Sequence, residues 1–93
     1  MIIRENAESQ LNEIYNWYEE QKKGLGYEFI LSVEASLSAI NRNPLVYQLR
    51  FKNIRCAIIA RFPYGIYYFV DKQKIAVLSV FHFKRNPKLI KKS

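Results

Sequence analysis

An α+β fold, with an N-terminal antiparallel helical hairpin packed on one face of a small antiparallel β-sheet, is predicted by three observations. The apolar period changes from helical to alternating part-way along the 93 residues. A proline-bearing break, "NRNP", falls at the change. Beyond it, short segments rich in β-branched and aromatic residues are separated by turn signals. With 49% hydrophobic and 25% charged residues, the chain reads as a single domain over 1–93, able to bury one core and too short to divide.

The first element is a helix from Ala7 to Lys23, because Leu11, Ile14, Tyr15 and Tyr18 fall at i, i+3, i+4 and i+7. Asn6 is its expected N-cap, Glu8 suits the positive end of the helix dipole, and Lys22, Lys23 and Gly24 form the stop signal. After "GLG", a second stripe of Phe29, Ile30, Val33, Leu37 and Ile40 runs to Pro44, which disfavours helix in the residue before it. Two helices joined this closely form an antiparallel hairpin. Only Met1, Ile2 and Ile3 precede Asn6 as apolar residues, so any first strand is short or absent.

Four strand segments follow: "VYQLRF", "IRCAIIARF", "IYYFV" and "KIAVLSVFHF", forming an antiparallel meander. "FPYG" has Pro63 and Gly65 placed for a type I turn, "DKQK" marks the next hairpin, and "KLIKKS" reads as a basic tail. Alternation puts Arg55, Ala57, Ile59 and Arg61 on one face of the second segment. Ile54, Cys56, Ile58, Ala60 and Phe62, uniformly apolar, are expected to meet the helices. Arg55 and Arg61 would then project together from the open face, about 20 Å apart, with Ile66 and Tyr68 beside them. Guanidinium interleaved with aromatic surface suits RNA, and equally an amphipathic peptide. The face of His82 depends on the 71–74 turn: an even loop sends it toward the helices, an odd one to the arginines.

Residues 1–34 carry seven acids against three bases, a net charge of −4, whereas residues 35–93 carry twelve bases against Asp71 alone, a net charge of +11. The basic half is suited to a polyanion or an acidic protein. The lone cysteine, Cys56, excludes an internal disulfide and multi-cysteine metal sites, and reads as a small buried apolar residue. Neither a signal peptide nor a membrane span is expected, and the cytoplasm is the expected compartment.

Together, "WYEEQKKGLGYEF", "NP", "IRCAIIARFPYGIYYFV" and "VLSVFHFKRNP" resemble, in order and spacing, the RelE/ParE superfamily of bacterial type II toxin–antitoxin systems. The resemblance implies a short first strand, two helices and a meander, with the toxic surface on the sheet side. It implies a cognate antitoxin as partner, with Trp17, Tyr18 and Tyr68 as contacts, and no cofactor, metal, membrane or small-molecule substrate.

Two mechanisms follow from it. RelE-like members are metal-independent, ribosome-dependent endoribonucleases acting on mRNA, and Arg61 and His82 match their catalytic arginine and histidine. Gly65 stands where several of the nucleases carry arginine, and Phe83 where the histidine-bearing ones show tyrosine. ParE-like members bind DNA gyrase. The spacing of His82 and Arg85, together with Arg55 and Arg61, is closer to that branch, with Arg55, Arg61, Lys84 and Arg85 as target- or phosphate-binding residues. A toxin that has lost its activity and survives as an antitoxin-binding module is the third reading.

Overall fold

The computed structural model describes residues 1–83, so Lys84, Arg85 and the basic tail lie outside the described residues. The elements run β1 (Ile2–Ile3), α1 (Glu5–Gln21), α2 (Leu25–Arg42), β2 (Gln48–Phe51), β3 (Ile54–Ile58), β4 (Tyr64–Asp71) and β5 (Lys74–His82). The sheet order is β1-β5-β4-β3-β2. The meander is antiparallel throughout, and the two-residue β1 adds a parallel edge on β5, making the five-stranded sheet mixed.

α1 differs from expectation at both ends. It starts at Glu5 behind Arg4, and Asn6 is no cap: its Nδ2 donates to the Leu78 carbonyl at 3.2 Å. The helix stops at Gln21, and Gly24, at φ 90, enters α2 instead of closing α1. A carboxylate takes over the capping. Glu19, reaching from α1, accepts the N–H groups of Gly24 at 2.9 Å and Gly26 at 3.0 Å, which are orphan donors of the α2 N-terminus.

The helices bury Ile14, Phe29, Val33 and Ile40 against Ala57, Ile59, Ile66, Tyr68, Val77 and Val80 of the sheet. This reverses the face assigned from alternation, since Ala57 and Ile59 meet the helices while Ile58 is 67% exposed. The alternation itself holds from Arg55 to Ile59. The reversal comes from Arg55, which reads as a surface residue but pairs with Tyr68 on the core side and bonds the Leu45 and Tyr47 carbonyls. The strand then ends at Ile58. Beyond it Arg61 takes a left-handed φ of 70, and the Tyr64 N–H bonds the Phe62 carbonyl across Pro63 at 2.8 Å. Phe62 thus reaches the core from a loop, and no type I turn forms at "FPYG".

The 71–74 hairpin has Lys72 and Gln73 at its tip, both at positive φ as in a type I′ turn, matching the sheet twist. That even count alone would put His82 opposite the Tyr68 face. A bulge intervenes: Tyr67 pairs with Ser79 and Tyr68 with Val77, leaving Leu78 unpaired and shifting parity by one. His82 pairs with Tyr64 and so lies on the helix side.

Where β1 is too short to cover β5, α1 does so with side chains. Gln10 Oε1 accepts the Val80 N–H at 2.8 Å, and Asn6 holds the bulge carbonyl of Leu78. Backbone groups beyond the reach of the stunted strand are thereby satisfied.

Candidate functional site

The sequence-derived candidates separate into three places. The first is an aromatic junction between hairpin and sheet. Tyr18 meets Phe62 edge-on at 5.0 Å and Phe29 at 5.5 Å, and Trp17 lies edge-on to Tyr18 at 5.1 Å with 44% of its surface exposed. His82 sits edge-on to Tyr64 at 5.0 Å. Arg61 projects from the β3–β4 loop, its guanidinium 5.9 Å from the Phe62 ring centre and 3.2 Å from the Glu28 carboxylate of α2. Arg61 is therefore a loop residue on the helical side, not a strand arginine. Glu28, its partner, has no signature in the sequence, because the ion pair spans 33 residues and depends on the unforeseen loop.

The second place is an internal latch. Arg55 donates from Nη1 to the carbonyls of Leu45 at 3.1 Å and Tyr47 at 2.7 Å, and the Tyr68 hydroxyl donates to that of Pro44 at 2.6 Å. Arg55 and Tyr68 do share a face, as paired residues of β3 and β4, but it is the core face. Tyr68 is fully buried and offers no surface to an antitoxin. Arg55 is half-buried and spends its guanidinium on the α2–β2 connection, not on an open face.

The open sheet face is the third place, and its register brings together Cys56, Gly65, Tyr67 and Phe81. A Cβ on Gly65 would lie 2.7 Å from Cys56 Sγ and 2.9 Å from Phe83 Cε1. The Phe83 ring covers the glycine, so no long side chain fits there unless Phe83 moves. Burial raises the Cys56 thiol, outweighing the opposing influence of Tyr67 and Arg50. The Tyr67 hydroxyl lies near that thiol and the Arg50 guanidinium without a hydrogen bond of ordinary geometry to either, and burial, aided by Cys56, pushes its pKa up to about 12. Tyr67 and Arg50 were missed in the sequence because the opposite face was expected to be the open one. Among the described residues, no group of three His, Cys, Asp or Glu could hold a metal, and no helix is long and apolar enough to cross a membrane.

Tyr68 is likewise pushed up to about 12 by burial, against the opposing Arg55 charge. Both phenols ionise near 10 when unfolded, so their protonated forms favour the fold. That stability is intact below pH 10 and lost as pH rises through about 12. Alkaline titration followed by phenolate absorbance should show a late phase to which Tyr67 and Tyr68 contribute, its amplitude falling in Tyr68→Phe. An unchanged late phase in both Tyr67→Phe and Tyr68→Phe would contradict this assignment.

The family described as the ParE toxin of the type II toxin–antitoxin system parDE matches residues 1–87. A solved structure titled "Chromosomal ParDE TA system from P. aeruginosa" shares the fold, with a TM-score of 0.76 at 14% identity over 88% of this chain and 95% of that chain. No curated protein sequence matches. With two helices on the five-stranded sheet, a two-residue first strand and this match over nearly the whole length, the chain belongs to the ParE toxin family of type II toxin–antitoxin systems.

Proposed function

We propose that this protein arrests growth by binding DNA gyrase in the cytoplasm and is neutralised by a cognate antitoxin. The observation that carries this choice over ribosome-dependent mRNA cleavage is the chemistry of the open sheet face. General acid–base attack by a ribose 2′-OH needs a group that exchanges a proton near neutral pH, and cations for the developing phosphorane charge. Tyr67 and Cys56 both stay protonated at neutral pH, and Phe83 occupies the space over Gly65. Arg61 is paired with Glu28 off that face, and His82 lies on the helix side against Tyr64. Binding a target needs no proton transfer.

The test sets gyrase supercoiling beside ribosome-dependent messenger cleavage, using the purified protein. Inhibition of supercoiling without cleavage is expected. Arg61→Ala should weaken toxicity, and its effect on target affinity should be largest at low salt, where the lost charge is least screened. The exposed Arg61–Glu28 pair contributes only about 0–1 kcal/mol, so unfolding would not explain the loss. His82→Gln should leave toxicity near the wild-type level. A nuclease would instead lose about 100-fold or more on removal of its proton-transfer group. A folded, wholly non-toxic His82→Gln variant beside a wild type that cuts messenger would overturn the gyrase reading.

A further inference from the structure

The Tyr67 hydroxyl is a buried polar group that the fold leaves without a hydrogen bond. Tyr67 is 5% exposed, and its oxygen is the one buried side-chain oxygen or nitrogen without a partner among the described residues. An orphan of this kind weakens a fold, so its retention needs a reason. Its neighbours are the Cys56 thiol and the Arg50 guanidinium, and burial keeps both phenol and thiol protonated at neutral pH. A guanidinium accepts nothing and a thiol accepts weakly, so the phenolic proton has no strong acceptor beside it. The one acid between Ala35 and Phe83 is Asp71, four residues along β4 and about 13 Å away at strand rise. Donors and positive charge therefore converge here with no carboxylate among them. What would complete the cluster is an oxyanion from outside.

Two backbone irregularities flank this place. Gln48, Cys56, Tyr67 and Ser79 form one row across β2, β3, β4 and β5. Next to that row, Arg50 is the extra residue of β2 between Leu49 and Phe51, and Leu78 is the extra residue of β5. A bulge re-aims a side chain, and the first one carries the cation. The Phe81 ring packs on Tyr67 at 5.7 Å and holds the phenol in position. Arg50 is exposed, so its flexible side chain is the member that moves to admit a ligand.

The number of charges selects the ligand. A nucleic-acid strand presents a phosphate at every nucleotide and is followed by a track of cations. The row itself is uncharged, as are Gly65 and Phe81 beside it, which leaves Arg50 as its single adjoining cation. One guanidinium with one hydroxyl matches one carboxylate.

We propose that Arg50 and Tyr67 form an oxyanion site on the open sheet face that takes one carboxylate, an aspartate or glutamate side chain of the target protein. This rests on the target-binding reading and gives it a point of contact.

The test compares urea unfolding, acetate binding and gyrase affinity in Tyr67→Phe and Arg50→Gln. Tyr67→Phe removes an oxygen the fold does not use, so its urea midpoint should equal or exceed that of the wild type, while gyrase affinity falls about 10-fold or more. Arg50→Gln, at an exposed position, should fold normally and lose about as much, most visibly at low salt. With acetate alone, the side-chain N–H resonance of Arg50 should shift saturably in the wild type and far less in Tyr67→Phe. That arm needs no gyrase: acetate binding by a protein that ignores gyrase would defeat the gyrase reading and keep the site. A lowered urea midpoint in Tyr67→Phe would give the hydroxyl a partner inside the fold and overturn the proposal. Unchanged gyrase affinity in both variants, without a response to acetate, would do the same. A response to inorganic phosphate and not to acetate would assign the face to nucleic acid, against the carboxylate.

Discussion

Phe29→Ala is expected to cost about 3–5 kcal/mol of stability, the usual range for removing a fully buried aromatic ring. Phe29 has no solvent exposure and joins the two layers, meeting Phe62 edge-on at 5.2 Å, Tyr64 at 5.7 Å and Tyr18 at 5.5 Å. Its removal leaves a cavity bounded by three rings that cannot collapse without shifting α2, and forfeits the edge-to-face contacts as well. Small domains are stable by only about 5–15 kcal/mol, so Tm should fall on the order of 20 °C. Urea unfolding should show a lower midpoint with an unchanged slope. Toxicity should weaken through the smaller folded fraction, and Phe29→Leu should recover much of both. A cost below about 1 kcal/mol would mean that the ring junction is not what holds hairpin to sheet.

The second large effect belongs to Gly26→Ala, expected to destabilise by about 2–4 kcal/mol although alanine is favoured over glycine in a helix by about 1 kcal/mol. A Cβ there would sit 2.7 Å from the Tyr15 carbonyl oxygen and 2.9 Å from both Glu19 Oε1 and Tyr15 Cδ1. The backbone carbonyl cannot swing aside, so the helices must separate, and the Glu19 cap on Gly24 and Gly26 is strained with them. Glu19→Ala alone should cost about 1–2 kcal/mol by leaving those N–H groups without their acceptor. The double variant should cost less than the sum, because one of the clashing atoms is already gone. Strict additivity in denaturant unfolding would show that the close approach and the cap are independent.

Much of the architecture was legible because long amphipathic periods survive local detail. The stripes of Leu11, Ile14, Tyr15 and Tyr18 and of Phe29, Val33 and Ile40 identify two core-facing helices, and "DKQK" marks its hairpin. The sheet faces were not legible. Ile58 looks like a core residue by composition but is exposed, Cys56 is buried as expected but on the face away from the helices, and Arg55 looks like a surface residue. What decides between the faces is the pairing of Arg55 with Tyr68, and the chance for the guanidinium to reach two carbonyls at the sheet edge. His82 shows how errors can cancel: its helix-side place follows from an unforeseen bulge acting on a face assigned the wrong way round. Arg61 was misread for a single cause, the end of β3 at Ile58, since a left-handed non-glycine residue leaves no mark on hydrophobic periodicity. Of the antitoxin candidates, Trp17 presents surface, Tyr18 is half-buried in the ring junction, and Tyr68 supports the connection that displays Leu45 and Val46.

The stunted β1 and the amide side chains that extend its reach have a consequence in time. Asn6 and Leu78 are 72 residues apart, and Gln10 and Val80 are 70 apart, yet these bonds tie the first helix to a strand in the interior of the sheet. The loop they close is nearly the whole fold, and its entropy must be given up before any of these contacts forms. The helical hairpin can assemble early from local contacts, but it waits for β5 to secure it. A chain interrupted before β5 therefore lacks the strand that joins α1, β1 and β4, so target-binding competence should arrive in one late step, not grow gradually as the chain lengthens.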